Sequence, residues 1–309
     1  MLTDSSASLP LPKQEASVRF AHISDPHLPL PNIPIGSFFN KRLFSLALWK
    51  GERQKQHLFE ITQKIIENIK KQANIDSILI SGDLTNFGTK QEFLSCSNWL
   101  QSLPIEPILV PGNHDAMMPE NFDNSLSLWT KWTGPQFPFV RCIKNVAIIG
   151  LNSAVPTPLF KAYGRLDQSQ IRKLSYLLED LGQSGYCRIV MIHHPPHSKL
   201  MSNSKSLRET HEFSEVLRSK GAELVLHGHS HKATFTHVEG CNVPLLGTSS
   251  VSMKREDELH KASWNKIECT KIPDGWNLKL TRINIKGDSL WKHQWNTYNQ
   301  TASSFQESC

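Results

Sequence analysis

The chain has 309 residues, 39% of them hydrophobic and 20% charged, with a formal charge of +6. That is enough sequence to bury a substantial core in one large domain or two small ones, and so mild a basicity describes a solvated surface better than a nucleic-acid-binding one. Six widely spaced cysteines without a Cys-x-x-Cys pair argue against a zinc ribbon or a disulfide scaffold and fit reduced thiols in a cytoplasmic protein.

Residues 1–17 lack a positive start followed by an apolar core, so they are expected to be a disordered tail rather than a secretory signal. The first predicted strand is VRFAHI (18–23). Residues 28–55, LPLPNIPIGSFFNKRLFSLALWKGERQK, begin with prolines and turn apolar and basic, and they are expected to be an insertion beside whatever the first strand presents. The most apolar run within them, LFSLALW (43–49), is far too short to span a bilayer. A helix follows over 57–73, with Leu58, Ile61, Ile65, Ile66 and Ile69 on one stripe. Further strands are expected at SILI (77–80), PILV (107–110), VAIIG (146–150), RIVMI (188–192) and ELVL (223–226). Apolar on consecutive positions, these runs predict strands buried on both faces. Helices are expected at 167–182, with Asp167 placed to cap it and Gly182 to end it, and at 211–221. Residues 263–285 have the pattern of an antiparallel hairpin around a Pro-Asp-Gly turn. The pattern predicts a layered α/β fold over 18–290, two mixed sheets packed under helices, followed by a tail at 291–309.

Five strand ends carry side chains that bind metals. They are SDPH with Asp25 and His27, SGDLTNFG with Asp83, PGNHD with Asn113, His114 and Asp115, HHPPH with His193 and His194, and HGHSH with His227, His229 and His231. Singly, each stretch reads as turn or loop residues. In an open α/β sheet, however, the carboxyl ends of the strands converge on one edge, so ligands from separate strands meet there. Oxygen and imidazole donors without thiolate suit a hydrolytic site for Mn, Fe, Zn or similar ions. Two ions can share such a set when one carboxylate bridges them.

In this order, DPH, GD, GNHD, HHPP and GHSH resemble the motif set of the calcineurin-like metallophosphoesterase superfamily over about residues 18–250. The resemblance implies a four-layer αββα sandwich, two divalent metal ions, and hydrolysis of a phosphoester by in-line attack of a metal-bound hydroxide. It implies Asp25, His27 and His231 at one metal, Asp83 bridging, and Asn113, one histidine of the tandem pair and His229 at the other. His114 would face the leaving group or a phosphate oxygen, with Asp115 orienting it. The His-x-Pro pattern fits either His193 or His194, and adjacent residues leaving a strand point to opposite sides. Members with a similar HHPP usually use the first, so His193 is the expected ligand and His194 either a hydrogen-bonding residue behind the ligands or a wall of the pocket. His197 is expected to lie exposed in the loop. His22 and His227 are expected to hydrogen-bond behind the ligands. Trp129, Trp132 and Phe137 are candidates for cleft walls, with core packing the plainer alternative.

GDLTNFGTKQEF (82–93) and YGRLDQSQIRKLSYLLE (163–179) resemble the bacterial branch that includes cyclic-nucleotide and glycerophosphodiester enzymes, so a small phosphodiester is the expected substrate. The GDxVDRG and GNHE of protein phosphatases are absent. Two alternatives come from other classes. The aromatic, apolar and basic stretch 38–53 suits a lid or an interfacial helix with peripheral membrane contact, as in a diphosphatase of the UDP-diacylglucosamine type, although a helix packed on the body is the simpler reading. Many of those enzymes carry Arg where this chain has His114. A metal-binding scaffold without activity is opposed by the completeness of the ligand set, and a nuclease by the modest charge.

Overall fold

The strand Val18–Ile23 (β1) shows how the layers arise. Val18 and Phe20 enter a core lying between two sheets, whereas Ala21 and Ile23 meet helices on the outer face. A strand covered on both faces has to be apolar on consecutive positions, which is why the sequence shows runs there rather than alternation. In Ser77–Ile80 (β2) the same parity sends Leu79 inward and Ile78 and Ile80 outward.

The computed structural model describes residues 17–33, 42, 46, 54–119 and 122–298. Phe59–Lys71 (α1) precedes β2, and Lys90–Ser102 (α2) leads to Pro107–Leu109 (β3). Phe139–Ile143 (β4) and Val146–Gly150 (β5) form a hairpin, followed by Gln168–Gln183 (α3), Cys187–Met191 (β6), Thr210–Lys220 (α4) and Leu224–His227 (β7). Phe235–His237 (β8), Pro244–Gly247 (β9), Ser263–Ile272 (β10), Gly275–Asn284 (β11) and Ser289–Tyr298 (β12) complete the chain order.

One sheet runs β12-β11-β10-β1-β2-β3 and the other β4-β5-β6-β7-β9-β8. Within them β1, β2 and β3 are parallel, as are β5, β6, β7 and β9. Their carboxyl ends therefore open on one edge of the molecule. Ile65 and Ile69 of α1 and Phe93 and Leu100 of α2 cover the first sheet, and Leu174 and Leu178 of α3 and Phe213 and Leu217 of α4 cover the second. This is the αββα sandwich that the motifs imply. Trp129 and Trp132 are buried in the cluster beneath α1 and α2, so they are core residues rather than cleft walls.

The structure departs from the sequence reading in several places. Residues 291–298, expected to open a C-terminal tail, form most of β12, which pairs antiparallel with β11 along its length. At the edge of the sheet, its Trp291 and Trp295 pack on the core while Lys292, His293 and Gln294 are exposed, so no apolar run marks it. α2 was also unannounced. It starts at Thr89 with a capping box: Glu92 N donates to Thr89 Oγ1 (3.3 Å) and Thr89 N to Glu92 Oε2 (3.0 Å). The other Glu92 oxygen accepts from Asn86 N (2.7 Å) and Phe87 N (3.2 Å), so the cap also fixes the loop after β2. Asp167 caps α3 as expected, but the helix continues through Gly182 to Gln183.

The 1–17 tail and the 38–53 stretch lie almost wholly outside the described residues. Within the stretch, Arg42 donates to Phe87 O (2.8 Å) and Gly88 O (2.7 Å), and Leu46 packs with Phe87 and Met117. Among the described residues no helix is long and apolar enough to cross a membrane.

Candidate metal centre

The loops after β1 and β2 run side by side. Asp25 N donates to Gly82 O (3.0 Å), His27 N to Asp83 O (3.1 Å) and Leu28 N to Leu84 O (2.9 Å). This backbone ladder presents Asp25, His27 and Asp83 together. Asp25 (φ 52°), His27 (41°), Asp83 (56°), His229 (63°) and His231 (51°) are all left-handed. That region is unfavourable for residues with a Cβ and, where it recurs, gathers at functional sites. The motif glycines allow the loops to close. A Cβ on Gly112 would stand 2.2 Å from Asp83 Oδ1, and one on Gly228 2.0 Å from Ser24 Oγ.

Asp25, His27, Asp83 and His231 each bring one donor atom within 4.8 Å of the others, and His193, His194 and His229 form a second such group. Asp83 Oδ2 lies between the groups, 4.0 Å from His27 Nε2 and 3.3 Å from His193 Nε2. Asn113 Oδ1 is 3.2 Å from His193 Nε2. Carbonyl oxygens fix which nitrogen of each ring carries hydrogen: His27 Nδ1 donates to Thr85 O (3.3 Å), His193 Nδ1 to Ser81 O (2.7 Å) and His229 Nε2 to Lys205 O (3.0 Å). In the neutral rings, the lone pairs are then on His27 Nε2, His193 Nε2 and His229 Nδ1.

These residues fit divalent cations. Asp25 Oδ1 is buried without a hydrogen bond and lies 3.1 Å from His231 Nε2. A buried carboxylate oxygen facing an imidazole nitrogen in this way is a pair of donors that a cation would satisfy. The charges agree. Burial alone would raise the Asp83 carboxyl, but His193, His114 and His27 together hold it well below the usual carboxylate range. Burial works to lower His193, and the Asp83 and Asp25 carboxylates outweigh it, pulling the ring up to about 9, so a cation binding at Nε2 would displace a proton that these carboxylates otherwise hold there. Burial and neighbouring imidazoles hold His27, His194 and His229 well below the ordinary histidine value, in the neutral form that binds metal.

The groups open into a cleft of about 310 Å³, walled by the ligand loops together with Asn86, His114, His57, Lys205, Met253 and Arg255 among others. His114 is held by two bonds, its backbone N to Asp83 Oδ1 (2.8 Å) and its ring Nδ1 to Asn86 O (2.7 Å).

Comparison with known proteins agrees with this geometry. The calcineurin-like phosphoesterase profile matches residues 18–233. The chain belongs to this family. Relatives include a probable cyclic nucleotide phosphodiesterase of Synechococcus, 31% identical over 220 residues covering 68% of this chain and 78% of that protein. Another is a 3′,5′-cyclic-nucleotide phosphodiesterase of Nostoc, 26% identical over 260 residues covering 78% and 91%. Among solved structures, a dimetal phosphatase from Danio rerio has the same fold, with a TM-score of 0.58 at 12% identity over 90% of this chain and 98% of that one.

In this calcineurin-like phosphoesterase the seven expected ligand positions, Asp25, His27, Asp83, Asn113, His193, His229 and His231, all come to the one edge. His194 comes there too, with Nδ1 2.8 Å from Ser153 Oγ and its ring 4.5 Å from that of His229. Asp115 is buried beneath the site. Oδ1 accepts from Thr85 N (2.9 Å) and Thr85 Oγ1 (2.8 Å), and Oδ2 from Gly112 N (2.8 Å) and Asp83 N (3.0 Å). Its oxygens thus clamp the loops together, and the bond that orients the His114 ring comes from Asn86. His22 and His227 are buried hydrogen-bonding residues, to Ser81 Oγ (2.9 Å) and Gly228 O (2.9 Å) respectively. His197 is half-buried, and its Nδ1 accepts from Lys199 N (3.2 Å). Sequence reasoning missed His57 and Asn86. Asn86 lies inside a recognised motif stretch, whereas nothing local to His57 marks it.

Proposed function

We propose that this phosphoesterase hydrolyses a phosphodiester, with 3′,5′-cyclic nucleotides as the first candidates, and does so with two divalent cations, Mn, Fe, Zn or similar. The observation that carries this reading is Asp83 Oδ2, lying between two separate donor groups and close to an imidazole of each. Asp25, His27, Asp83 and His231 would hold one ion, and Asp83, Asn113, His193 and His229 the other. Bound cations supply Lewis-acid polarisation of phosphoryl oxygens and acidify water near neutral pH.

The chain's own residues do the rest. Asn86 O holds His114 with hydrogen on Nδ1, so it is the imidazolium form, with its second proton on Nε2, that gives a proton to the departing oxygen or stabilises charge on the phosphoryl group. The backbone bond from His114 N to Asp83 Oδ1 keeps this ring in register with the ligand carboxylate. Asp115 acts as a positioning residue through the loops it clamps. The names of the Synechococcus and Nostoc relatives support the substrate class. So does the cleft, whose roughly 310 Å³ is at the low end for ligand pockets and suits a nucleotide-sized molecule.

The test is turnover of bis(p-nitrophenyl) phosphate and of 3′,5′-cyclic AMP with Mn, Fe, Zn or Co supplied, alongside metal analysis of the purified protein. Turnover dependent on added metal is expected. No turnover with any of the four, together with no bound metal, overturns the reading.

A further inference from the structure

The cleft has a wall that none of the five motifs supplies. Residues 56–58 lie against residues 252–254: Leu58 N donates to Ser252 O (2.8 Å), Lys254 N donates to Gln56 O (2.7 Å), and His57 forms an isolated antiparallel bridge with Met253. This pairing brings His57 into the cleft lining and sets it beside the first donor group. Its ring centroid is 4.6 Å from that of His27 and 5.5 Å from that of His231. Arg255 reaches the cleft from the same wall.

The ring is held at Nδ1. His57 Nδ1 is 2.7 Å from Ser252 Oγ and 3.4 Å from Ser250 Oγ, and Ser250 Oγ donates to the backbone oxygen of Asp25 (2.6 Å). His57 is therefore held in register with a ligand residue, although the four donor atoms of that group gather without it. His114 is arranged in the same way, with Nδ1 bonded to Asn86 O and its ring 4.9 Å from His27. Two non-ligand imidazoles, each anchored at Nδ1, thus flank His27. Filling space needs no oriented nitrogen, whereas holding a ligand atom does.

We propose that His57 is a substrate-contacting residue, holding an oxygen of the phosphodiester through Nε2; this rests on the phosphodiesterase reading above. Among the described residues the cleft is lined by the cations Lys205 and Arg255 and by one carboxylate, Asp83, which the proposed metals would engage, so the oxygen belongs to an anionic molecule. It is either a phosphoryl oxygen or a sugar hydroxyl next to it, and substrate analogues separate the two.

The experiment compares wild type with His57→Ala, His57→Gln and His57→Asn. It uses bis(p-nitrophenyl) phosphate, 3′,5′-cyclic AMP and its 2′-deoxy analogue, with metal content and melting temperature measured on every variant. The Gln amide reaches the Nε2 position and the Asn amide the Nδ1 position. The Ala variant is expected to lose about tenfold or more in kcat/KM with metal content unchanged, and Gln to recover more of the loss than Asn. A loss shared by all three substrates identifies a phosphoryl oxygen, and a loss confined to the nucleotide bearing the 2′-hydroxyl identifies that hydroxyl. Recovery by Asn and not Gln overturns the proposal, because the ring would then act through Ser252. A parallel fall in metal content overturns it by making His57 a ligand. Wild-type turnover that His57→Ala leaves unchanged overturns it alone, whereas no turnover by the wild type with any metal overturns the phosphodiesterase reading as well.

Discussion

Gly112→Ala tests whether the backbone of the third strand end sets the position of Asp83. The added methyl would stand 2.2 Å from Asp83 Oδ1, 2.6 Å from Asp83 N and 2.8 Å from Asp83 Cγ. Ordinary contact requires the two groups to part by about 1 Å. The Asp83 carboxylate cannot retreat alone, because its Oδ1 accepts from His114 N and its backbone N donates to Asp115 Oδ2. Overpacking of this kind costs about 1–3 kcal/mol, which for a chain of this size lowers the melting temperature by roughly 1.5–5 °C. The functional effect is larger. A metal ligand tolerates displacements of about 0.2 Å, and a 1 Å misplacement in a site costs on the order of 100-fold in rate. Metal analysis, thermal melting and kcat/KM on bis(p-nitrophenyl) phosphate measure the three effects on one sample. A folded variant with wild-type metal content and kcat/KM within roughly twofold of wild type refutes the reasoning.

Other expectations are as direct. His193→Ala should lower metal content more than His194→Ala, since His193 Nε2 is next to Asn113 Oδ1 and Asp83 Oδ2; the reverse order reassigns the ligand. Chelation followed by Mn²⁺ at about 100 times its Kd should raise stability by about 2.7 kcal/mol for each site filled, and a melting temperature indifferent to Mn, Fe, Zn and Co argues against a metal centre. Burial, with help from His227 and Arg282, lowers the His22 ring from 6.5 to about 3. The unfolded chain therefore takes up this proton first. The stability contributed by neutral His22 is complete above pH 6.5 and declines as pH falls toward about 3, at up to about 1.4 kcal/mol per pH unit. Urea denaturation of His22→Gln between pH 6.5 and 4.5 should show a shallower slope than wild type; equal slopes count against the assignment.

The gathering of the candidate donors at one edge was legible because parallel strands covered on both faces must be apolar throughout and must stop abruptly where the donor residues begin. β1, β2 and β5 coincide with their predicted runs, and β6 and β7 are displaced by one residue. β4, β8 and β12 are edge strands, which keep polar residues toward water and leave no apolar run to read, and β9 is an inner strand of only four residues, Pro244–Gly247. The role of Asp115 was illegible for a different reason. Adjacency to His114 suggested a partnership, but the carboxylate turns to backbone donors, two of which, Thr85 N and Asp83 N, lie 30 and 32 positions away. His57 depends on a contact spanning 195 positions, to Ser252, which no local pattern encodes.

The left-handed backbone at Asp25, His27, Asp83, His229 and His231 affects how the chain can change. At such positions a Cβ carries a conformational cost of roughly 1 kcal/mol whether or not its side chain binds anything. Alanine then keeps the cost and discards the donor, while glycine discards both. Along a lineage losing its metals, drift at these five positions should favour glycine over alanine. A scaffold descended from this enzyme would carry glycines where the donors stood, as a residue of its former chemistry written in the backbone.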